Sequence, residues 1–424
     1  MGGRPNPSVV EEKKKYMTGI LERFVVSHPT GNTFVRALLH QLNDQKQLEK
    51  FLTTIGAGKG ANYFISAFVG KKRQYAIPDK LISRQWVTEV ARLLSKGNQA
   101  KKSRKADHSY QALDYKVSNE LSTINSQILH AYEDGCFYSF VQAKELGIQC
   151  SYELPIAHWG TVRRLLAEEA ERYPEWEPTL ESTREPEEKL FRKEEELRLA
   201  DRITCPSQFV LDSIPLKIRQ KTACQISQFG SPRYEPLNFE RSTQNNTLKV
   251  LFVGSMSQRK GLADLFEAMK LLSGEPVSLS ILGQPSMPME FYRKQLAEFA
   301  YFPPCPNLKV REIMKEHDAL VLPSIVEGRA LVQQEALSCG LPIIVTPNAG
   351  GEDLVDEGIT GHLIPIRSPE KIATAIRTLI AKGRKIDEIR QLCQTKAKQY
   401  SWASYAQRII DFNLSNSERI LEIT

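Results

Sequence analysis

Two glutamates, Glu327 and Glu335, stand in the densest run of chemistry-bearing residues of the 424-residue chain, "LPSIVEGRALVQQEALSCGLPIIVTPNAGGEDLV" from Leu322 to Val355. Were the interval helical throughout, its eight residues would advance ~12 Å, a separation at which two carboxylates hold different parts of one ligand. Between them, Gly328 lets the backbone approach a ligand closely, and the N–H groups of Arg329, Ala330 and Leu331 fall where a helix N-terminus would stabilise an anion. A second run, "LKVLFVGSMSQRKGLADLFEAM", reads as strand, turn and helix, its turn ending on Arg259, Lys260 and Gly261 ahead of the apolar face Leu262, Leu265, Phe266 and Met269. A lysine there acts as a point charge on phosphate. Taken singly, the glutamates read equally as exposed helix carboxylates, and the basic turn as solvated surface.

Elements able to position these residues are legible in both halves of the chain. "RFVVSHPTGNTFVRALLHQL" reads as a short strand, a turn over Pro29 to Asn32 and a helix with Phe34, Leu38, Leu39 and Leu42 on one face, a Rossmann-type opening. Apolar runs at "NSQILHAYEDG", "CSYELPIAHWG" and "LADRITCPSQFV" alternate with helical stretches, and a further series follows in "LKVLFVG", "VSLSILG", "HDALVLPS", "LPIIVT" and "GHLIPI". Between them, Gly230 to Thr247 loses apolar periodicity and reads as a linker. The span Thr183 to Asp201 reads as a solvated, charge-paired helix face. Trp86, Val87, Val90, Leu93 and Leu94 share one helix face, followed by Lys96, Lys101, Lys102, Arg104 and Lys105. Two readings of that face stand open: packing on its own sheet, or docking on an anionic membrane.

Composition excludes several classes. With 41% apolar and 25% charged residues the chain is an ordinary globular α/β protein rather than a fibrous or disordered one. No run approaches 18 apolar residues, and "EEKKKY" is followed by no apolar h-region, so neither a spanning helix nor a secretory signal is expected. Seven scattered cysteines without C-x-x-C indicate a reducing cytoplasm and no zinc site. The net charge of +7 favours anionic partners without choosing among them. "IGAGKGAN" fails as a phosphate loop, because Thr53 and Gly60 stand where Gly and Ser or Thr are required. D-x-D and H-x-x-x-H are absent, the first turn lacks G-x-G-x-x-G, and the basic stretch near Lys101 lacks the aromatics of an RNA-binding sheet, so no metal and no nucleic acid are expected.

The Leu322 to Val355 run resembles the donor-binding core of retaining family 4 glycosyltransferases of the GT-B fold: a Pro-Ser, an E-G, seven residues between two glutamates, then G-x-P after a small residue and Cys or Ala. The resemblance is strong over Leu248 to Ile380, moderate over Phe24 to Leu39 and Tyr132 to Gly230, and poor over Gly56 to Ser126, where acceptor specificity would be expected. It implies two Rossmann-like domains facing across a cleft: a tail at 1–16, an acceptor domain at 17–240, a donor domain at 241–394, and a helix at 395–424 crossing back to the first domain with Trp402 as anchor. It further implies a metal-independent enzyme that moves a sugar, with retention, from a nucleoside diphosphate sugar to a saccharide, lipid-linked or other hydroxyl acceptor. No cofactor is implied beyond that co-substrate. The setting would be the cytoplasm, with peripheral contact at the inner face of the membrane.

By the same resemblance Glu327 orients the sugar, Glu335 the ribose, and Lys260 with the N–H groups after Gly328 holds the diphosphate. This chain departs from the pattern at Ser255, where the family carries arginine, and Arg259 is the nearby cation able to replace it. Gly31 and Asn32 match the first turn, which borders the diphosphate, and His158 matches a strand-end histidine facing the reacting centre, although a single histidine is as often structural. Glu133, Asp134 and Trp159 are candidates for acceptor hydroxyls. Two rivals remain: a catalytically weakened sugar-nucleotide-binding protein, favoured by Ser255, and a GT-B nucleotide-sugar epimerase.

Overall fold

Strands buried on both faces need uninterrupted apolar runs, and β1 (Phe24–Ser27, FVVS) is buried at every position. It leads through the turn at 28–32 into α1 (Thr33–Asp44), which buries Phe34, Val35, Leu38, Leu39 and Leu42, the face expected from the sequence. The computed structural model describes residues 21–70, 73–95, 99–180, 185–232, 247–383 and 386–415. The expected tail at 1–16 and nearly all of the linker expected from Gly230 to Thr247 lie outside the described residues.

The chain divides into two compact units, 1–131 with 135–151, and 132–134 with 152–424. In the first, β2 (Leu48–Thr53), β3 (Ala57–Lys59), α2 (Tyr63–Val69), β4 (Gln74–Pro78), β5 (Ile82–Arg84), α3 (Trp86–Leu93), α4 (Gln99–Leu121), β6 (Ile128–Tyr132), α5 (Phe137–Glu145) and β7 (Gln149–Glu153) follow α1. Its main sheet runs β5-β2-β1-β6-β7, and β3 pairs with β4 apart from it. The pairs β1–β2, β1–β6 and β2–β5 are parallel.

The second unit takes the last residues of β6 and β7, then α6 (Trp159–Arg172), α7 (Glu187–Leu199), β8 (Arg202–Cys205) and β9 (Ala223–Ile226). After these come β10 (Leu248–Val253), α8 (Leu262–Leu271), β11 (Val277–Leu282), β12 (Ala300–Phe302), β13 (Ala319–Leu322), α9 (Leu331–Ser338), β14 (Ile343–Val345), β15 (Gly361–Leu363) and, near the end, α10 (Trp402–Leu414). The sheet order β12-β11-β10-β13-β14-β15, all parallel, is the doubly wound arrangement, with its reversal between β10 and β13. Within the second unit, several helices and strands after 152 are bonded to residues beyond 240.

Two such bonds come from α10. Trp402 stacks on Phe229, and the Tyr405 hydroxyl donates to both carboxylate oxygens of buried Glu153 at 2.6 and 2.8 Å. Two sequence expectations are corrected. Helix α7 is not merely a solvated charged face, since Leu190, Arg192, Glu196 and Leu197 are buried. Helix α3 does not pack its apolar face on the sheet: Trp86, Val87, Leu93 and Leu94 are exposed while Glu89 is buried. No helix among the described residues is long and apolar enough to cross a membrane.

Removing the Tyr405 hydroxyl leaves a buried carboxylate short of a donor, so Tyr405→Phe should lower stability by about 2 kcal/mol. The shift in urea midpoint of the purified variant, at unchanged slope, measures it.

Candidate active site

Open parallel sheets bind ligands outside their carboxyl ends where the strand order reverses, which in the second sheet is the space after β10 and β13. The segment after β10 closes through a short 3-10 turn, Gln258–Lys260, capped by Gly261 in the left-handed region at φ +73°. A side chain at Gly261 would place Cβ 2.0 Å from the Pro323 carbonyl oxygen, so glycine alone lets this turn lie against the loop after β13. The two loops are also stitched by the Ile325 N–H, which donates to the Arg259 carbonyl at 2.9 Å. Buried Gln258 fixes the turn from behind, its amide donating to Glu169 at 2.6 Å and Asp264 at 2.8 Å while its carbonyl accepts from Ala263 N–H.

Arg259 and Lys260 converge on a single atom. Arg259 Nη1 donates to Glu327 Oε1 at 2.6 Å and to the Val326 carbonyl at 3.1 Å, and Lys260 Nζ meets the same Oε1. Burial pulls the Lys260 ammonium below the usual lysine range, with Arg259 adding to the effect and Glu327 opposing it. Ser255, at the position expected to carry arginine, has its hydroxyl 3.3 Å from that of Ser257. The Arg259 side chain therefore reaches the place that Lys260 reaches.

Other expected members of the site are placed differently. Helix α9 begins only at Leu331, so the interval from Glu327 to Glu335 is not helical throughout and the ~12 Å rise does not apply to it. Glu335 accepts from Asn307 Nδ2 at 2.7 Å, and burial raises its carboxyl above the usual range. The backbone at Gly328 is hemmed by protein: a Cβ there would stand 1.7 Å from the Pro155 carbonyl oxygen. The Ala330 N–H donates to the Ala349 carbonyl, and the buried Arg329 guanidinium is spent on Asp353 at 2.6 and 3.0 Å and on the Gly350 carbonyl at 3.0 Å. The side chain of Arg329 thus anchors the 350–353 loop.

His158 caps α6, its Nδ1 accepting from Gly160 N–H at 3.2 Å. That bond puts the ring proton on Nε2, which lies 3.1 Å from Glu194 Oε2. Trp159 Nε1 donates to the same oxygen at 3.2 Å. Burial lowers the His158 pKa, against the pull of Glu194. Trp159 and Glu133 line one cavity of about 140 Å³ with Ile156, Val162, Leu190 and Lys193. Lys193 lies 3.7 Å from Glu133 and 3.1 Å from Glu185, and Lys189 lies 2.9 Å from Asp134. Burial raises the Glu133 carboxyl, with Lys193 opposing. Sequence reasoning missed Lys189, Lys193 and Glu194, whose helix looks solvated because Glu133, Asp134, His158 and Trp159, which they meet, lie at least 35 residues away.

In the first unit, Gly31 has φ +60° with the Tyr75 ring directly over it. Asn32 precedes α1, its side chain 3.4 Å from the Thr30 hydroxyl. A residue that sequence reasoning missed shapes this turn: His28 Nδ1 accepts from the N–H groups of Thr30 and Gly31 at 3.0 and 2.8 Å. Burial, then His130 and Arg73, depress the His28 pKa to about 3. Among the described residues no cluster of His, Cys, Asp or Glu is suited to a metal ion.

Residues 247–382 match the family "Glycosyl transferases group 1". Among curated proteins the chain is similar to an uncharacterized glycosyltransferase of Methanocaldococcus jannaschii, 26% identical over 193 residues, which are 42% of this chain and 48% of that protein. It is likewise similar to D-inositol 3-phosphate glycosyltransferase 1 of Catenulispora acidiphila, 25% identical over 177 residues, 38% of this chain and 42% of that protein. The matched part spans less than half the length of these relatives. Two solved structures match nearly end to end. One is sucrose-phosphate synthase from Thermosynechococcus elongatus, with TM-score 0.61, 16% identity and 92% of this chain against 98% of that one. The other is Anabaena HepE in complex with UDP, with TM-score 0.58, 14% identity and again 92% against 98%. The fold is that of the GT-B glycosyltransferases. The match to glycosyl transferases group 1 covers residues 247–382 and no other part of the chain.

A histidine whose folded pKa of about 3 lies below its unfolded value near 6.5 contributes stability that is complete above pH 6.5 and is lost as pH falls toward 3. Between pH 8 and pH 5 this residue alone should cost about 2 kcal/mol. Urea titrations of the protein and of His28→Asn at the two pH values check this: the variant should be less stable at pH 8 and less sensitive to acid.

Proposed function

We propose that this protein transfers a sugar from a nucleoside diphosphate sugar to a hydroxyl acceptor, with retention at the anomeric carbon. The observation that carries the reading is the convergence of Arg259 and Lys260 on one Glu327 oxygen at the carboxyl ends of β10 and β13. Two cations against one carboxylate leave an excess of positive charge where the doubly wound sheet receives its ligand. The group 1 match over the same residues supports the reading, and so do the UDP complex of the structurally similar Anabaena protein and the glycosyltransferases among the relatives.

As the bond between sugar and diphosphate breaks, negative charge grows on the departing phosphate. Lys260 and Arg259 stabilise that charge, and being held in place beforehand they do so without reorganisation. They supply countercharge of the kind a divalent ion provides elsewhere, and we propose turnover without added metal. Glu327, which the cations hold at the site, orients the sugar, and Glu335 takes the ribose. On the acceptor side, Glu133 and Trp159 line the cavity, Asp134 is held beside it by Lys189, and His158 positions Trp159 through their shared Glu194 oxygen. The rival reading of a binder without turnover rests on Ser255, and the placement of Arg259 beside Lys260 weighs against it.

A panel of nucleotide sugars, read by mass detection of released nucleoside diphosphate, tests the proposal: binding of a donor without release on addition of any acceptor or water would favour the binder. With the cognate donor, Lys260→Ala should lower kcat by more than tenfold, about 1.4 kcal/mol, with unchanged circular dichroism. Glu335→Gln should weaken donor affinity in calorimetry about tenfold, since a ribose contact is present in ground and transition states alike. EDTA should leave turnover unchanged.

A further inference from the structure

Gln258, the residue before the two cations, is fully buried, and so are Glu169 and Asp264 beside it. Its polar groups are all engaged. The backbone N–H donates to the Thr179 hydroxyl at 3.1 Å, and the backbone carbonyl accepts from Gly261 N–H at 2.9 Å. The side-chain amide donates to Glu169 of α6 at 2.6 Å and to Asp264 of α8 at 2.8 Å, while its oxygen accepts from Ala263 N–H at 2.9 Å. Rotating the amide by half a turn would set its oxygen against two carboxylates, so one orientation is fixed.

Two buried carboxylates facing one amide need countercharge. Arg172 supplies it to Asp264 at 2.6 Å, and Arg367 Nε bonds Glu169. Arg367 does so from the left-handed region, at φ +60°, which L side chains seldom adopt. Its guanidinium also meets Glu168 at 2.8 Å and the Leu165 carbonyl at 3.3 Å. A sparsely populated backbone conformation used to hold a buried carboxylate points to a function for that carboxylate. The charges of Glu169, Asp264, Arg172 and Arg367 cancel, so the network leaves the surplus positive charge in front of the turn intact.

Glu327 holds Arg259 and Lys260 only while no other anion competes for them. When phosphate oxygens take the two cations that pull weakens, and the bonds behind the turn are what keep the pair in place. We propose that Gln258, through Glu169 and Asp264, is the positioning residue that keeps Arg259 and Lys260 aimed at the phosphates of a bound diphosphate. It touches no substrate itself. The inference rests on the reading of this turn as the diphosphate site, and inorganic pyrophosphate probes it without any need for turnover.

Two substitutions test it. Gln258→Met keeps the length and loses the amide, whereas Gln258→Glu keeps the shape and sets a third carboxyl against Glu169 and Asp264. At pH 8 both variants should bind pyrophosphate about tenfold more weakly in calorimetry and lower kcat about tenfold with the donor that the nucleotide-sugar panel identifies, the scale on which small misplacements of reacting groups act. The pH profile separates positioning from general loosening. For Gln258→Glu the deficit relative to the unmodified protein should widen from about pH 6 to about pH 9, as the introduced carboxyl, raised by Glu169 and Asp264 and lowered by Arg172 and Arg367, gives up its proton. For Gln258→Met the deficit should stay flat. Unchanged pyrophosphate binding by both variants, a deficit equal in the two at every pH, or failure of the unmodified protein to bind pyrophosphate would overturn the proposal. Pyrophosphate binding that follows the expected pattern while no donor is turned over would uphold the positioning role and sink sugar transfer instead.

Discussion

Lys260 can lie almost buried only because Glu327 is there to receive it. An ammonium withdrawn from water without a partner costs several kcal/mol, whereas one placed against a carboxylate recovers most of that through the stronger attraction of a low-dielectric site. The pair therefore dictates local geometry. It requires the turn after β10 to touch the loop after β13, and the chain meets that requirement with Gly261 under the Pro323 carbonyl and with the Ile325 N–H on the Arg259 carbonyl. Arg259 is drawn to the same oxygen, so the cluster keeps a surplus positive charge. A departing diphosphate would meet a charge distribution already built for it.

How much of this was legible in the sequence depended on the range of the interaction. Strand β1 and the alternation that follows Leu248 were readable because parallel strands covered on both faces demand unbroken apolar runs. Gly261 and Lys260 were readable because a strand, a glycine turn and an apolar helix face are all local patterns. The capping role of His158 involves a residue two positions away, but its bond to Glu194 spans 36 residues, and nothing in "FRKEEELRLAD" marks which of the consecutive glutamates faces it. The same holds for Lys189 and Lys193, which look like solvated charges until Glu133 and Asp134 are brought to them. The side chain of Arg329 was illegible for a related reason: its position before a helix speaks only of its backbone donor, and Asp353, which takes its guanidinium, lies 24 residues on.

Helix α3 shows the limit of reasoning from amphipathicity. A helix buries its apolar face unless something on the opposite face is more costly to leave exposed or unpaired. Glu89 is such a residue, because three donors from two other segments and from its own helix converge on it. The periodicity of Trp86, Val87, Val90, Leu93 and Leu94 identified the helix correctly and said nothing about which side faces the protein.

Helix α6 joins two parts of the second unit that sequence treats separately. At its N-terminus sit His158 and Trp159 beside the cavity. Near its C-terminus, Glu169 receives Gln258 and Arg367, while Arg172 holds Asp264. Fourteen residues of helix amount to ~21 Å, and a helix of that length bonded at both ends behaves as a strut. Gln258, the residue directly before the two cations, and the indole of Trp159 thus sit at opposite ends of one rod, and the length of that rod sets the distance between the basic turn and the cavity.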